Sequence, residues 1–202
     1  LANKFLIPII PIGGSTGLVG GQIASQSNHV TLSLEKLDTI NFFKDSNLLY
    51  VQSGAILSNI KKLAFKNGRL FPLSLASEGS CQIGGNLATN AGGLNVIKYG
   101  NIRDLCLGLE AVLPCGQIVS TMKPLKKNNM GFDLKNLLIG SEGTLGVITS
   151  TILKTFPIPK DPISIFLSIN NLEDVLFVFE KISTEFDERI LAFELVKMTG
   201  ID

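Results

Sequence analysis

The sequence predicts an α+β fold on three observations: short strands with alternating or apolar patterns, two amphipathic helices, and three glycine-rich stretches between them. Val30 to Leu34 alternates apolar and polar residues, as a half-buried strand does. Leu48 to Gln52 reads as a second strand. Behind it Ser53 or Gly54 opens a helix with Ile56, Leu57, Ile60, Leu63 and Ala64 on one face. Lys61, Lys62 and Lys66 lie off that face as its solvated side, and Asn67-Gly68 supplies the stop. Leu105 to Leu113 and Gln117 to Thr121 flank Pro114-Cys115-Gly116, a hairpin with its glycine late in the turn. Leu134 to Ile139 is a short helical turn, and Gly146 to Phe156 a β-rich stretch closed by Pro157 and Pro159.

Composition shifts after that proline pair. Ile163 to Ile169 and Ile190 to Val196 read as strands flanking a helix that Asn171 caps and that runs to Phe186, with Glu173 and Asp174 in its first turn. Its face of Leu172, Val175, Leu176, Phe179, Ile182 and Phe186 reads as core. A β-α-β piece this small makes a poor independent core, so 1–157 is expected as one domain and 158–202 as the beginning of another.

The chain has 202 residues, 45% of them hydrophobic, and a formal net charge of +1, which leaves no basic face for nucleic acid. The uncharged run from Phe5 to Leu34 carries Pro8, Pro11 and several glycines, too much punctuation for a transmembrane segment. The start, Leu-Ala-Asn-Lys, has no initiator methionine and no signal-peptide layout, so the chain is expected to be processed or to begin inside a larger protein. Cys81, Cys106 and Cys115 have no metal-ligand spacing, and their odd number speaks for reduced thiols in a cytoplasmic compartment. His29, the single histidine, sits in a polar stretch and reads as a solvated loop residue. It supports neither histidine catalysis nor a metal site.

Residues 11 to 21 read P-I-G-G-S-T-G-L-V-G-G, behind an apolar run from Phe5 to Ile10 that reads as a strand. A turn this rich in glycine can aim several N–H groups at one point, and such a nest holds an anion without lysine or arginine. The second stretch, Gly79 to Gly93, combines paired glycines with Ser80, Asn86, Thr89 and Asn90. With little periodicity, residues 79 to 100 read as irregular backbone laid against an extended polar ligand. The third, Ile139 to Thr149, is again glycine-rich. Three such stretches suit a long ligand such as a dinucleotide. A Walker loop is excluded because Leu18 follows Gly17, and a Rossmann fingerprint because the run after Gly21 is polar and unhelical.

The loop at 11–21, the run I-G-G-N-L-A-T-N-A-G-G at 83–93, Tyr99-Gly100 and G-S-E-G-T-L-G-V-I-T at 140–149 resemble the FAD-linked oxidase family. This is the vanillyl-alcohol oxidase or PCMH-type flavin fold. Leu125 to Lys135 is similar to the approach to the third motif in the D-2-hydroxyglutarate dehydrogenase group, beside which stand D-lactate dehydrogenases and glycolate oxidase. The resemblance implies a PCMH-type FAD-binding domain, a mixed sheet with flanking helices, over 1–157 with its N-terminal segment missing. Residues 158–202 would begin an α+β cap domain. It implies FAD held non-covalently, because Ser15 stands where covalent members carry a histidine. Gly13, Gly14, Ser15, Thr16 and Gly17 would cradle the pyrophosphate. Ser80, Gly84, Gly85, Asn86, Thr89, Asn90, Gly92 and Gly93 would line the flavin and ribityl chain. Glu142, Gly143, Gly146 and Ile148 would sit near the pyrophosphate, ribose or adenine.

The implied reaction oxidises a small 2-hydroxy acid to a 2-oxo acid, with an electron-transfer flavoprotein or a quinone as acceptor and a cytoplasmic or peripheral membrane location. No catalytic residue and no metal ligand is expected within the chain, since the base and the metal histidines would follow residue 202. The alternative is a non-catalytic fragment or flavin-binding subunit of a split gene, completed by a cap-domain chain or a homo-oligomer.

Overall fold

The computed structural model describes residues 1–24, 27–123, 125 and 130–196. A short helix α1 (Ala2–Phe5) leads into β1 (Ile9–Ile12), which pairs in parallel with β2 (Val30–Ser33). The apolar run at 5–10 thus splits between a helix end and a strand start, because Leu6 turns left-handed with φ 52° and reverses the chain. Next come β3 (Ile40–Phe43), β4 (Leu48–Gln52), α2 (Leu57–Lys66) and β5 (Arg69–Leu70). Three short helices follow, α3 (Ile83–Ala88), α4 (Val96–Tyr99) and α5 (Ile102–Leu105), then the hairpin β6 (Cys106–Val112) and β7 (Ile118–Ser120). Helix α6 (Leu134–Leu138), β8 (Val147–Lys154), β9 (Phe156–Pro157), α7 (Leu172–Phe186) and a 3-10 turn (Asp187–Arg189) complete the described elements.

The main sheet has the order β3-β4-β8-β6-β7 and is antiparallel throughout, with parallel pairing confined to β1 and β2. Its central strand β8 buries Ile148, Ser150, Thr151, Ile152 and Leu153. Leu49 and Val51 of β4 and Leu109 of β6 are fully buried around it, and α2 covers them with Leu57, Ile60 and Ala64. Leu57, Ile60 and Ala64 lie on the helix face that the sequence spacing predicts as apolar. The helix begins at Leu57, later than Ser53 or Gly54, because both of those residues are buried at the end of β4.

Residues 79 to 100 are more regular than their glycines suggest. The N–H groups of Ile83 and Gly84 donate to the carbonyls of Ala55 and Ser53 at 3.0 and 2.8 Å, so tertiary contacts nucleate α3 despite two internal glycines. The close approach needs Gly84, since a Cβ there would lie 2.6 Å from the Ser53 Cβ. Ser53 in turn receives its N–H acceptor from Thr149 and donates its hydroxyl to the Ile148 carbonyl at 2.6 Å. One buried serine therefore ties β4, β8 and α3 together.

The C-terminal part departs from expectation. Residues 163–169 and 190–196 form no strand, because no neighbouring strand pairs with them. Ile163, Ile165 and Phe166 are 85%, 76% and 97% exposed. Helix α7 forms with Asn171 at its cap position, as expected, yet only Val175 of its apolar face is buried. Leu172, Leu176 and Phe186 are exposed, while Phe179 packs against Phe193 with tilted rings, centroids 4.9 Å apart. Within the stretch Leu125 to Lys135, residues 126–129 lie outside the described residues.

Gly84→Ala forces a methyl group into the Ser53 junction and is expected to cost about 1–3 kcal/mol in urea unfolding. Gly79→Ala, with nothing near its Cβ position, is expected to stay within about 0.5 kcal/mol of the parent in the same measurement.

Candidate functional site

The three glycine-rich stretches meet around one cavity of ≈ 280 Å³. The first wall is the loop that leaves β1. Gly14 packs its backbone on the second stretch so closely that a Cβ would stand 2.1 Å from the Ser80 carbonyl oxygen. Ser15 follows with φ 51°, a left-handed angle uncommon outside glycine. The turn leaves the amides of residues 13–17 without an acceptor among the described residues. Gly13, Gly14 and Thr16 are half-buried and Ser15 and Gly17 exposed, and all five border the cavity, the arrangement that receives an anion.

Helix α3 makes the second wall. Gly84, Gly85, Asn86 and Thr89 face the cavity together with Gln82, which caps the helix position without any side-chain capping bond. Thr89 spends its hydroxyl proton on the Gly85 carbonyl at 3.0 Å. Gly85 is the telling residue: nothing lies within 4 Å of its Cβ position, so the protein itself does not demand glycine there. The Gln82 Oε1 and Asn86 Oδ1 atoms are buried with no hydrogen-bond partner.

The third wall is Glu142, Gly143, Gly146 and Ile148. The Gly140 and Glu142 amides donate to the Leu87 and Ala88 carbonyls at 3.1 and 2.9 Å, locking this wall onto the end of α3. Arg103 fastens it from behind: its guanidinium donates to the Ile139 carbonyl at 2.7 Å and to the Asn136 carbonyl. Glu142 has φ 52° and is, among the described residues, the one charged side chain on the cavity wall.

Thirteen of the residues expected to line a ligand border this cavity: Gly13, Gly14, Ser15, Thr16, Gly17, Gly84, Gly85, Asn86, Thr89, Glu142, Gly143, Gly146 and Ile148. Ser80, Asn90, Gly92 and Gly93 stand behind the wall. The Ser80 carbonyl backs Gly14, and Asn90 (φ 47°) accepts the Arg103 N–H through Oδ1 at 3.3 Å. Gly93 lies against the Ser74 carbonyl, and Gly92 against the Asn101 side chain. The lining residues that sequence reasoning missed include Gln82, Gln22, Leu75 and Cys81, none of which belongs to a glycine pair.

Residues 13–17 also spell G-x-S-x-G, the string of a nucleophile elbow. No helix follows Ser15, and His29 precedes β2 at the opposite end of the β1–β2 pair. Ser15 is therefore a turn residue rather than the nucleophile of such an elbow. Among the described residues no group of three His, Cys, Asp or Glu could hold a metal ion. No helix among them is long and apolar enough to cross a membrane. Cys81 and Cys106 are buried free thiols, and burial pushes the Cys106 thiol above its usual pKa.

Residues 1–122 match the family model described as FAD binding domain. The chain belongs to that family. It is 40% identical to the mitochondrial D-2-hydroxyglutarate dehydrogenase of Rattus norvegicus over 94% of this chain and 36% of that protein. It is 42% identical to a D-lactate dehydrogenase of Anaerostipes hadrus over 87% of this chain and 37% of that protein. The chain thus spans well under half the length of these curated relatives. A solved alkyldihydroxyacetonephosphate synthase superposes with a TM-score of 0.69 at 27% identity, covering 79% of this chain and 31% of the other. The fold is that of PCMH-type flavoproteins, and FAD is the family's cofactor.

The residues present fit that group. Unpaired amides suit its diphosphate, the orphaned Gln82 and Asn86 oxygens call for donors, and the open space at Gly85 leaves room for a ligand against the backbone. Gly85→Ala separates these roles. Replacing an internal helix glycine is expected to stabilise the unliganded chain by about 1 kcal/mol in urea unfolding. The added methyl group enters the cavity, and FAD affinity by titration is expected to fall.

Proposed function

We propose that this chain is the FAD-binding portion of a flavin-dependent D-2-hydroxy-acid dehydrogenase of the 2-hydroxyglutarate, lactate or glycolate class. The observation that carries the reading is the cavity bordered by unpaired amides of residues 13–17, with no cationic side chain on its wall among the described residues. Gly13, Gly14, Ser15, Thr16 and Gly17 hold the diphosphate through those neutral donors. Gly84, Gly85, Asn86 and Thr89 approach the flavin and its ribityl chain, backed by Ser80, Asn90, Gly92 and Gly93. Glu142, Gly143, Gly146 and Ile148 take the ribose or adenine side, where the Glu142 carboxylate suits hydroxyl donors better than phosphate oxygens.

Bound there without a covalent link, FAD supplies the acceptor for the hydride that leaves C2 as a 2-hydroxy acid becomes a 2-oxo acid. The chain's own residues orient the cofactor and exclude water from the diphosphate. An electron-transfer flavoprotein or a quinone would be the final electron acceptor. The composition change at Pro157 and Pro159 supports the division into a flavin domain over 1–157 and the opening of a cap domain over 158–202. Three free cysteines support a cytoplasmic, reducing environment, whereas the rat relative is described as mitochondrial.

A second reading, a non-catalytic flavin-binding subunit completed by a cap-domain chain or a second copy, is favoured by one observation. Ile165, Phe166, Leu172, Leu176 and Phe177 expose apolar surface that an association would cover.

The visible spectrum of the purified chain after incubation with FAD tests the reading. A bound flavin is expected, and no flavin signal would defeat it. Gly14→Asp sets a carboxylate against the Ser80 carbonyl and the anion site, and is expected to weaken FAD binding by more than about tenfold. Bleaching of the bound flavin by a D-2-hydroxy acid supports the enzyme, and a flavin-loaded chain that sediments as a dimer supports the subunit.

A further inference from the structure

Two carboxamides in the cavity make no hydrogen bond that holds the fold. The Gln82 Oε1 and Asn86 Oδ1 atoms are buried without a partner, and their amide nitrogens donate to no described residue. Asn86 is only 6% exposed. Their backbones are nevertheless fixed. Gln82 forms a bridge with Ile56, the Asn86 N–H donates to the Gln82 carbonyl at 3.1 Å, and the Asn86 carbonyl accepts from Ala91 at 2.8 Å. Residues 82 and 86 are one helical turn apart, so both side chains serve the same wall.

Position then narrows the chemistry. The Gln82 Oε1 lies 3.3 Å from the Cβ position of Gly13, against the loop of unpaired amides, and Asn86 stands one turn further along α3. A buried acceptor without a donor destabilises the unliganded protein. A diphosphate cannot relieve it, because at neutral pH its oxygens accept and do not donate. The groups that flank a diphosphate in the dinucleotide do donate: the hydroxyls of the ribityl chain and of the adenosine ribose.

We infer that Gln82 and Asn86 are cofactor-holding residues whose carboxamide oxygens accept hydrogen bonds from the hydroxyl groups beside the diphosphate. This rests on the FAD-binding reading above. The pair grips the hydroxylated chain while the loop at 13–17 grips the charge, so the cofactor is held at two chemically different points. Removing either oxygen benefits the empty protein and harms the loaded one, a combination that a merely structural side chain does not give.

The test uses the full 202-residue chain as wild type, Gln82→Leu, Asn86→Leu and Asn86→Asp. Thermal midpoints are measured without ligand, and dissociation constants are measured for FAD, FMN and ADP. Both leucine variants are expected to melt a few degrees above wild type and to bind FAD about tenfold more weakly. Asn86→Asp keeps an acceptor and is expected to bind FAD more tightly than Asn86→Leu. Affinity lost for FMN and kept for ADP assigns the donors to the ribityl chain; the reverse assigns them to the ribose, and either supports the inference. Leucine variants that bind every ligand as wild type does overturn it. So does an Asn86→Asp that binds more weakly than Asn86→Leu, since the carboxamide would then be donating to phosphate. If the leucine variants melt below wild type, the order of Asn86→Asp and Asn86→Leu in FAD binding decides. Wild-type chain that binds none of the three ligands overturns the inference together with the FAD-binding reading. Wild-type binding with unchanged variants overturns the inference alone.

Discussion

Ser53 is the joint on which the site depends. Its N–H and hydroxyl are bonded to β8, its carbonyl accepts the Gly84 N–H, and Gly84 lets helix and strand approach to backbone contact. A side chain at residue 84 would push α3 outward, and with it both neighbouring walls. The loop at 13–14 packs on Ser80 and Cys81 just before the helix, while the 140–142 turn hangs on its last carbonyls. The sheet thus serves as a rigid base, and a helix of only six residues sets the spacing of the cavity.

Around the cavity stand several local costs that the fold does not need. Ser15 and Glu142 take left-handed angles, Gly85 weakens a helix without any steric reason, and two buried oxygens lack donors. Each is small, on the order of 1 kcal/mol, but they are concentrated around one space. Such clustering is the mark of a surface selected for a ligand rather than for stability. The exposed apolar run near 163–177 is a different matter: it does not line that cavity, and the 163–169 stretch faces solvent for want of a pairing strand.

Where a segment's structure follows from its own pattern, the sequence reveals it. β4, the hairpin of β6 and β7, and the buried face of α2 all follow from spacing and turn chemistry. Helix α3 was not legible, because Gly84 and Gly85 lower helix propensity and the contacts that form it come from Ser53 and Ala55, some thirty residues earlier. The strand pattern at 163–169 was misleading for the complementary reason: alternation describes a strand only when a second strand lies beside it. In the site, glycine density found the walls but could not tell lining from backing, so Ser80, Asn90, Gly92 and Gly93 looked like the rest. Gln82 escaped notice because its value lies in an unsatisfied atom, which no residue pattern encodes.

Hydrogen–deuterium exchange on the full chain, with and without FAD, tests the placement of the cofactor most directly. Residues 13–17, 82–91 and 140–148 should become protected together when FAD is present, while the β6–β7 hairpin and α7 exchange as before. Bound flavin with unchanged exchange in the 13–17 loop and α3, or with protection centred elsewhere, would contradict it.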